Sequence, residues 1–272
     1  MAVAKLLKQI KEKKSLLCVG LDTDKAKIPS EFLKMSLPQF EFNKRIIEAT
    51  QKYAVAFKPN IAFYESAGIE GWMSLEYTQK YLKNKFSDIF TIADAKRGDI
   101  GNTSKHYAKA FFGNLDFDAI TLVPYMGYDV IAPFLEYENK YVILLALTSN
   151  VNANEVQLFE NKKNIYLFEH IISKAINWGI ADKLMFVIGA TKPQYMKRIR
   201  ELVPNNFLLV PGVGAQGGNL EEIIKYGIND NYGLLINSSR GIIFSGNSFY
   251  NFDKKAKNSA KELVENMRQF IG

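Results

Sequence analysis

The sequence predicts an α/β fold in which eight strands, each followed by a helix, close into a single (β/α)8 barrel of the TIM type. Short apolar runs, rich in β-branched residues, recur along the chain and end in polar residues or glycine. Such uninterrupted hydrophobicity is typical of parallel strands that are covered on both faces. Stretches with helical periodicity separate the runs, and the length suits one barrel domain over residues 1–272. An open, doubly wound sheet is the alternative, because the pattern alone does not show closure.

The eight predicted strands are the apolar runs, each four to seven residues long. They occupy residues 16–21, 54–57, 89–93, 119–123, 141–147, 184–188, 207–210 and 233–236. The four clearest predicted helices occupy residues 1–14, 41–53, 166–178 and 254–270. The first of these places Leu6, Leu7 and Ile10 on one face, and it lacks the apolar core and cleavage site of a secretory signal. The proline-containing stretch 26–38 is predicted to be an insertion loop.

The composition is that of an ordinary globular protein, with 47% apolar and 23% charged residues. The 35 Lys and Arg exceed the 28 Asp and Glu, and the net charge of +7 favours an anionic partner such as a nucleic acid, a membrane surface or a phosphorylated metabolite. The longest apolar run, residues 142–147, is too short to cross a bilayer, and the aromatic residues do not alternate with basic ones. We therefore expect neither a membrane nor a nucleic-acid partner. The single cysteine, Cys18, excludes an internal disulfide and favours a reducing cytoplasm.

Polar side chains follow the predicted strands at their C-terminal ends, where the active sites of such barrels lie. After the first three strands these residues are mostly charged, and they are Asp22, Lys58, Asn60, Asp94, Lys96 and Asp99. After three later strands they are small or amide-bearing, and the corresponding segments are Thr148-Ser149-Asn150, Pro211-Gly212-Val213-Gly214 and Ser238-Ser239-Arg240-Gly241. This distribution predicts a site at the C-terminal end of the barrel.

Four of these residues alternate in charge. Asp94 and Lys96 are two positions apart on a predicted strand, so regular strand geometry places both side chains on one face. Lys58 ends the neighbouring strand, and Asp99 follows in the loop. The alternative is a purely structural cluster of ion pairs. Because burying several ions stabilises a fold poorly compared with apolar packing, we interpret the cluster as functional.

The charged cluster does not suit a metal ion or a Schiff base. Asp22, Asp94 and Asp99 could supply oxygen ligands to Mg²⁺, but two lysines interleaved among them would repel the cation and occupy the carboxylates. A Schiff base requires a neutral amine, whereas neighbouring carboxylates raise the pKa of a lysine and keep it charged. A charged lysine is better suited to donating a proton.

A glycine-rich segment near the C-terminus predicts a phosphate site. Residues 212–217 fit the pattern G-x-G-x-x-G, but the acidic residue that a dinucleotide site requires ~20 positions later is absent from the segment Ile236-Asn237-Ser238-Ser239. Backbone N–H groups of such a segment can still converge on an anion. Arg240 and Gly241 follow the last predicted strand, where barrels of this kind bind phosphate, and tight turns alone would not account for Arg240.

Four sequence blocks together resemble the orotidine 5′-phosphate decarboxylase family, in particular its longer bacterial subfamily (type 2). Residues 93–103, Ala-Asp-Ala-Lys-Arg-Gly-Asp-Ile-Gly-Asn-Thr, resemble its D-x-K-x-x-D signature. The other three blocks are residues 57–60, 210–217 and 237–241, and the likeness extends from residue 21 to residue 241. The resemblance implies a carboxy-lyase that converts orotidine 5′-monophosphate to UMP and CO₂, the last step of de novo pyrimidine biosynthesis, with no cofactor and no metal.

The resemblance also implies a role for each site residue. Lys96 would donate a proton to C6 of the pyrimidine, Asp94 would lie near the departing carboxylate, and Lys58 and Asp99 would complete the catalytic network. The implied substrate-binding residues are Asp22, Asn60, Thr103, Ser149, Pro211, Gln216, Arg240 and Gly241. Among these, Asp22 together with Lys58 would hold ribose hydroxyls, Ser149 the pyrimidine, and Gln216 and Arg240 the phosphate. The family further implies a cytoplasmic homodimer in which Asp99 and Thr103 enter the partner's site.

Two other functions remain as alternatives. A magnesium-dependent sugar-phosphate decarboxylase or synthase of the same barrel superfamily shares D-x-K-x-x-D, but it places an acidic metal ligand where this chain has Lys58. A non-catalytic phosphate-binding or nucleic-acid-binding protein would account for the net charge of +7.

Overall fold

The computed structural model describes residues 2–213 and 219–271. Eight strands close into a barrel in chain order, so the predicted (β/α)8 fold is confirmed and the open sheet is excluded. The strands are β1 (Leu17–Leu21), β2 (Ala56–Pro59), β3 (Phe90–Arg97), β4 (Ala119–Leu122), β5 (Tyr141–Leu147), β6 (Leu184–Ile188), β7 (Leu208–Pro211) and β8 (Leu234–Ser238). The register is parallel from β1 to β3 and from β4 to β8.

The described helices include all four that were predicted. They are α1 (Ala2–Lys13), α2 (Pro38–Thr50), α3 (Ala62–Glu65), α4 (Gly68–Lys85), α5 (Gly101–Ala108), α6 (Tyr128–Leu135), α7 (Ala153–Gln157), α8 (Leu167–Ile176), α9 (Met196–Leu202), α10 (Leu220–Gly227), α11 (Arg240–Ile243) and α12 (Phe252–Ile271). Helix α2 begins three residues earlier than predicted because Pro38, whose φ already suits a helix, occupies its first turn. None of the described helices is long and apolar enough to span a bilayer.

Four strands continue beyond the apolar runs that predicted them, and β7 does so by one residue. Strands β2 and β8 end two residues later than predicted, and β3 ends four residues later, at Arg97. Backbone pairing carries on past the apolar side chains: Gly20 of β1 lies opposite Lys58, and Leu21 lies opposite Pro59. Several predicted site residues therefore lie within the last residues of the strands rather than in the loops that follow.

The described residues form two compact units, of which unit 1 comprises those up to 95, residues 114–118 and those from 238 onward. Helices α2 and α12 pack together in unit 1, and the rings of Phe42 and Phe252 stack with centroids 4.9 Å apart. Phe32, from the predicted insertion loop, meets both rings edge-on. All three side chains are buried, which stabilises the fold by roughly 1.5–3 kcal/mol each. Helix α12 also contacts β1, so this apolar layer supports the strand that leads to Asp22.

Unit 2 comprises residues 96–113 and the described part of 119–237. Arg200 of α9 ties its helices to the start of β8 by donating hydrogen bonds to the carbonyls of Val203, Asn206, Gly227 and Gly233. Burial lowers the pKa of Arg200 to about 10, which still leaves it charged at neutral pH. Hydrogen bonds from a charged donor are about twice as strong as neutral ones, so Arg200 holds the turns that carry these carbonyls in place.

Candidate active site

The predicted site residues are divided between the two units. Unit 1 holds Asp22, Lys58, Asn60, Asp94, Arg240 and Gly241, and unit 2 holds Lys96, Asp99, Thr103, Ser149 and Pro211. Gln216, like most of the predicted glycine-rich phosphate segment, lies outside the described residues. Within residues 2–213 and 219–271, no three His, Cys, Asp or Glu side chains are grouped so that they could hold a metal ion.

A buried ion pair lies at the C-terminal ends of β2 and β3. The Nζ of Lys58 is 2.7 Å from Oδ2 of Asp94, and the two residues are only 3% and 9% exposed. The backbone reinforces the pair. Asn60 and Asp94 form a parallel β-bridge, and the N–H of Ile61 donates to the Asp94 carbonyl at 3.2 Å. Burial alone would lower the pKa of Lys58, but the carboxylates of Asp94 and Asp22 outweigh it and raise the pKa above its ordinary value. The ammonium therefore stays charged.

Asp22 directly follows β1 and presents an unused hydrogen-bond acceptor. Its Oδ1 is buried and has no hydrogen-bond partner among the described residues. A buried carboxylate oxygen without a donor carries a substantial desolvation cost, which a ligand hydroxyl would relieve. The side chain of Asn60 is partly committed, since its Oδ1 accepts from the N–H of Ala62 at 3.3 Å, and its amide N–H₂ is left as the donor.

Cys18 lies on β1 beneath this cluster, as a fully buried core residue. Burial is the main reason that the pKa of its thiol is raised to about 12, while the charge of Lys58 acts in the opposite direction. The thiol is therefore protonated at neutral pH. Because only the thiolate is an effective nucleophile, Cys18 does not provide one.

Lys96 has a backbone conformation that the sequence did not predict. Its φ of 48° lies in the left-handed region, which costs a residue with a side chain on the order of 1–3 kcal/mol. The alternation that placed Asp94 and Lys96 on one face requires extended backbone and does not apply at Lys96. Thr121 of β4 helps to hold this conformation, because its Oγ1 accepts from the Lys96 N–H at 2.9 Å. Sequence reasoning missed Thr121, whose only signal is a hydroxyl within an otherwise apolar run.

The segment that follows Lys96 is fixed against the end of β4. The carbonyl of Arg97 accepts from the N–H of Val123 at 2.8 Å. A Cβ atom at Gly98 would lie 2.9 Å from the carbonyl oxygen of Val123, so only glycine permits this close approach. The glycine of the D-x-K-x-x-D block is therefore required by the path of the backbone.

Asp99 and Thr103 lie at the start of α5. The half-buried Asp99 uses Oδ1 to accept from the N–H of Ile100 at 2.7 Å. Its carbonyl accepts from the hydroxyl of Ser104 at 2.6 Å, and that hydroxyl also lies 2.9 Å from the carbonyl of Val130 in α6. Thr103 is exposed. Ser104 thus anchors the segment, and Thr103 remains available to an external partner.

Ser149 and Pro211 are joined through the turn after β6. The N–H of Ala190 donates to the Pro211 carbonyl at 2.9 Å, and the hydroxyl of Thr191 donates to the Ser149 carbonyl at 3.1 Å. A Cβ atom at Gly189 would lie 2.5 Å from the backbone nitrogen of Ser149, so glycine is required here as well. The turn brings two of the predicted substrate-binding residues into one neighbourhood.

Arg240 and Gly241 begin α11, and both are exposed. A guanidinium presents a planar set of N–H donors that matches the oxygens of a phosphate. The structure thus leaves Arg240 accessible to an anion, as the phosphate prediction requires.

Comparisons with known proteins agree on one family. The sequence model described as orotidine 5′-phosphate decarboxylase / HUMPS family matches residues 15–250. An orotidine 5′-phosphate decarboxylase of Christiangramia forsetii is 54% identical over 267 residues, which cover 98% of this chain and 97% of the relative. One from Bacteroides fragilis is 53% identical over 264 residues, covering 97% of this chain and 96% of the relative.

A solved structure of Leishmania donovani OMP decarboxylase superposes with a TM-score of 0.85 at 36% identity, covering 100% of this chain and 99% of that one. The sequence match and the structural match therefore extend over nearly the whole of both chains. The chain belongs to the orotidine 5′-phosphate decarboxylase / HUMPS family.

Proposed function

We propose that this chain converts orotidine 5′-monophosphate to UMP and CO₂, the last step of de novo pyrimidine biosynthesis, without a cofactor. The observation that carries the proposal is the buried contact of 2.7 Å between Lys58 and Asp94. The magnesium-dependent sugar-phosphate enzymes that share D-x-K-x-x-D place an acidic ligand at the position of Lys58. An ammonium bound to the neighbouring carboxylate opposes a divalent cation at that position.

Lys96 is proposed as the acid of the reaction. Loss of CO₂ leaves a carbanion at C6 that no adjacent carbonyl can delocalise, and a fixed ammonium stabilises this charge as it forms and then protonates it. One ion pair at ~4 Å contributes only ~4 kcal/mol at an effective dielectric constant of 20. Enzymes typically lower barriers by ~8–23 kcal/mol. Binding of the remote phosphate must therefore contribute to closing and desolvating the site.

The remaining catalytic roles follow from charge. Asp94 is proposed to lie by the departing carboxylate, and its ion pair with Lys58 keeps it in place. Lys58 also contributes to binding the ribose hydroxyls, and Asp99 completes the network of alternating charge. This set brings two ammonium groups and two carboxylates to the reaction, with no net charge of its own.

The proposed substrate contacts run from ribose to phosphate. The Oδ1 of Asp22, which has no hydrogen-bond partner among the described residues, supports a bond from a ribose hydroxyl, and the amide of Asn60 provides a donor. Ser149 and Pro211 are proposed to border the pyrimidine. The phosphate is proposed to bind Gln216, Arg240 and Gly241.

Purified protein is expected to consume orotidine 5′-monophosphate without added metal, and loss of the orotate absorbance in the ultraviolet measures it. A chelator should leave the rate unchanged, because the proposed chemistry uses only side chains. Activity that disappears with chelator and returns with Mg²⁺ would favour the sugar-phosphate alternative. Strong, salt-sensitive RNA binding without turnover would favour a binding protein.

A homodimer is the proposed assembly, with Asp99 and Thr103 contributing to the partner's site. Two features of unit 2 support it. Ile100, beside Asp99, is 63% exposed, and Tyr125, before α6, is 83% exposed. Helices α5 and α6 pack together, so these apolar side chains extend from neighbouring segments. A contiguous patch of exposed apolar side chains is typical of an interaction surface, and the proposed dimer would cover these two side chains.

Mixing two inactive variants tests the shared site. In a dimer of one Lys96→Ala chain and one Asp99→Ala chain, one site lacks both residues and the other retains both. Random exchange of subunits is therefore expected to restore activity to about a quarter of the wild-type sites, measured after the variants are unfolded and refolded together. Each variant refolded alone is the control. If the mixture stays as inactive as its components while native mass spectrometry shows mixed dimers, Asp99 acts within its own chain.

One domain over residues 1–272 and a cytoplasmic location complete the proposal. The match of one family model to residues 15–250 supports a single domain. The single cysteine, buried as a free thiol, supports a reducing compartment.

A further inference from the structure

The chain segment that carries Asp22 is surrounded by polar side chains that the proposed chemistry does not use. Five of them are fully buried in unit 1: Thr23, which follows Asp22, Gln39 and Asn43 of α2, Tyr64 of α3, and Thr78 of α4. Burying a hydroxyl or amide is unfavourable unless it is hydrogen-bonded, so a buried polar cluster of this size stabilises the fold less than apolar side chains would. Its contacts indicate a different role.

The hydrogen bonds of this cluster converge on the two neighbours of Asp22. The hydroxyl of Tyr64 donates to the carbonyl of Leu21 at 3.0 Å. The hydroxyl of Thr23 donates to Oδ1 of Asn43 at 2.5 Å, and Nδ2 of Asn43 donates to the Tyr64 hydroxyl at 2.8 Å. A closed path of hydrogen bonds therefore runs from the residue before Asp22 to the residue after it.

Three further hydrogen bonds make the path rigid. Nε2 of Gln39 donates to the carbonyl of Thr23 at 2.8 Å and to the carbonyl of Phe63 at 2.9 Å, which joins the segment after β1 to the segment after β2. Nδ2 of Asn43 also donates to the hydroxyl of Thr78 at 3.0 Å. Burial is the main cause that raises the pKa of the Tyr64 hydroxyl well above its ordinary value, so this group stays a donor across the working pH range.

The carboxylate of Asp22 itself makes none of these bonds. Among the described residues its buried Oδ1 has no hydrogen-bond partner, whereas the backbone carbonyls on either side accept hydrogen bonds from Gln39 of α2 and Tyr64 of α3. A carboxylate that is already held in position binds a ligand hydroxyl more tightly, because the entropy cost of ordering the carboxylate is met during folding rather than during binding.

We propose that Tyr64, Asn43 and Thr23 are positioning residues that present Asp22 to a ribose hydroxyl of the nucleotide. The inference rests on the proposed function, because it assigns the partner of Asp22 as the ribose. It adds three residues that contact no reacting atom and act on the reaction only through Asp22.

A double-mutant cycle between Tyr64 and Asp22 tests the inference. Tyr64→Phe removes one hydroxyl and keeps the ring, and we expect it to lower kcat/KM for orotidine 5′-monophosphate about tenfold, as expected for one misplaced substrate contact. In an Asp22→Ala background the same substitution is expected to change kcat/KM less than about twofold, because Asp22 is no longer there to be positioned. A purely structural hydroxyl would cost the same in both backgrounds.

Thr23 and Thr50 provide the matched controls. Thr50 is equally buried and lies on the same helix as Asn43. Among the described residues its hydroxyl donates only to the carbonyl of Ile46, at 2.7 Å. Thr23→Val is expected to lower kcat/KM, whereas Thr23→Ser keeps the hydroxyl and is expected to retain wild-type kcat/KM. Thr50→Val is expected to lower the melting temperature with wild-type kcat/KM.

The outcomes separate the inference from the function on which it rests. Wild-type turnover with equal Tyr64→Phe losses in both backgrounds would overturn the inference alone, as would a Thr50→Val loss of kcat/KM equal to that of Thr23→Val. Absence of wild-type turnover would overturn the proposed function and the inference together. Melting temperatures show which variants are folded. If Tyr64→Phe does not fold, the inference is tested by Thr23→Val and Thr23→Ser, and equal kcat/KM values for these two variants would overturn it.

Discussion

Lys96→Ala is expected to lower kcat for orotidine 5′-monophosphate at least about a thousandfold, because the variant loses both the charge that stabilises the carbanion and the proton that quenches it. The side chain is exposed, so we expect little change in the free energy of unfolding. Ultraviolet assays at saturating substrate measure the first effect, and urea unfolding measures the second. Activity within tenfold of wild type would show that another group donates the proton.

Lys96→Gly is the informative companion to Lys96→Ala. The φ of 48° is strained for lysine and for alanine but not for glycine. Both variants are expected to be equally inactive, while the glycine variant should be more stable than the alanine variant by about 1 kcal/mol. This result would show that the backbone at Lys96 is strained in the folded protein and that the lysine is kept there because its ammonium group is needed for activity. Equal stabilities would mean that the backbone relaxes when the lysine is removed.

Lys58→Met is expected to destabilise the fold by about 3 kcal/mol and to reduce turnover by orders of magnitude, because it leaves the buried carboxylate of Asp94 without this ion pair. The double variant Lys58→Met, Asp94→Leu is expected to recover most of the stability and none of the activity, since apolar side chains replace buried ion pairs at little cost. Urea unfolding and the ultraviolet assay separate the two effects. A double variant as unstable as the single one would contradict this view of the pair.

An exposed pair on α4 provides the matched control. The Nζ of Lys80 is 2.6 Å from Oε1 of Glu76, and both side chains are largely exposed. Lys80→Met removes the same charge and is expected to leave stability and activity unchanged within error, because water screens such pairs. A loss like that of Lys58→Met would mean that net charge, rather than the buried contact, is responsible.

The ion pair also has a defined pH dependence. Folding raises the pKa of Lys58 above its ordinary value of 10.5, since the attraction of Asp94 and Asp22 outweighs burial. A group whose pKa is raised by folding contributes its full stabilisation below the unfolded pKa and loses it as the pH rises through the folded pKa. As the pH rises from neutral, the stability difference between wild type and the double variant is therefore expected to stay constant until strongly alkaline solution, where the contribution of Lys58 is lost.

The hydrophobic pattern predicted the positions of the strands well and their ends less well. Apolar runs located all eight strands, because each strand of the barrel is buried along most of its length. The ends of β2 and β3 were missed because backbone pairing continues through Lys58 and Asp94, where the side chains become charged. The candidate catalytic residues Lys58 and Asp94 therefore lie at strand ends where the apolar run has stopped but the backbone still pairs with the neighbouring strand.

The buried polar residues were beyond the reach of periodicity. Asn43 occupies a core position of α2, and nothing in its local sequence distinguishes it from an exposed helical asparagine. Its partners Thr23 and Tyr64 are 20 and 21 residues away along the chain. Contacts of this kind depend on which elements pack together, so they emerge only from the fold.

The sequence by itself determined the order of charges along the chain, the alternation of strands and helices, and the resemblance to one family, because each depends on local composition and spacing. Closure of the eight strands into a barrel, rather than an open sheet, was decided by the tertiary structure. Only the tertiary structure decided that the ammonium of Lys58 is bound to Asp94, that Lys96 adopts a left-handed conformation held by Thr121, and that buried side chains hold the neighbours of Asp22. The physical reason is the same in each case. These features depend on groups distant in sequence that meet in a low-dielectric interior, where a single unpaired donor or charge costs more than any local preference.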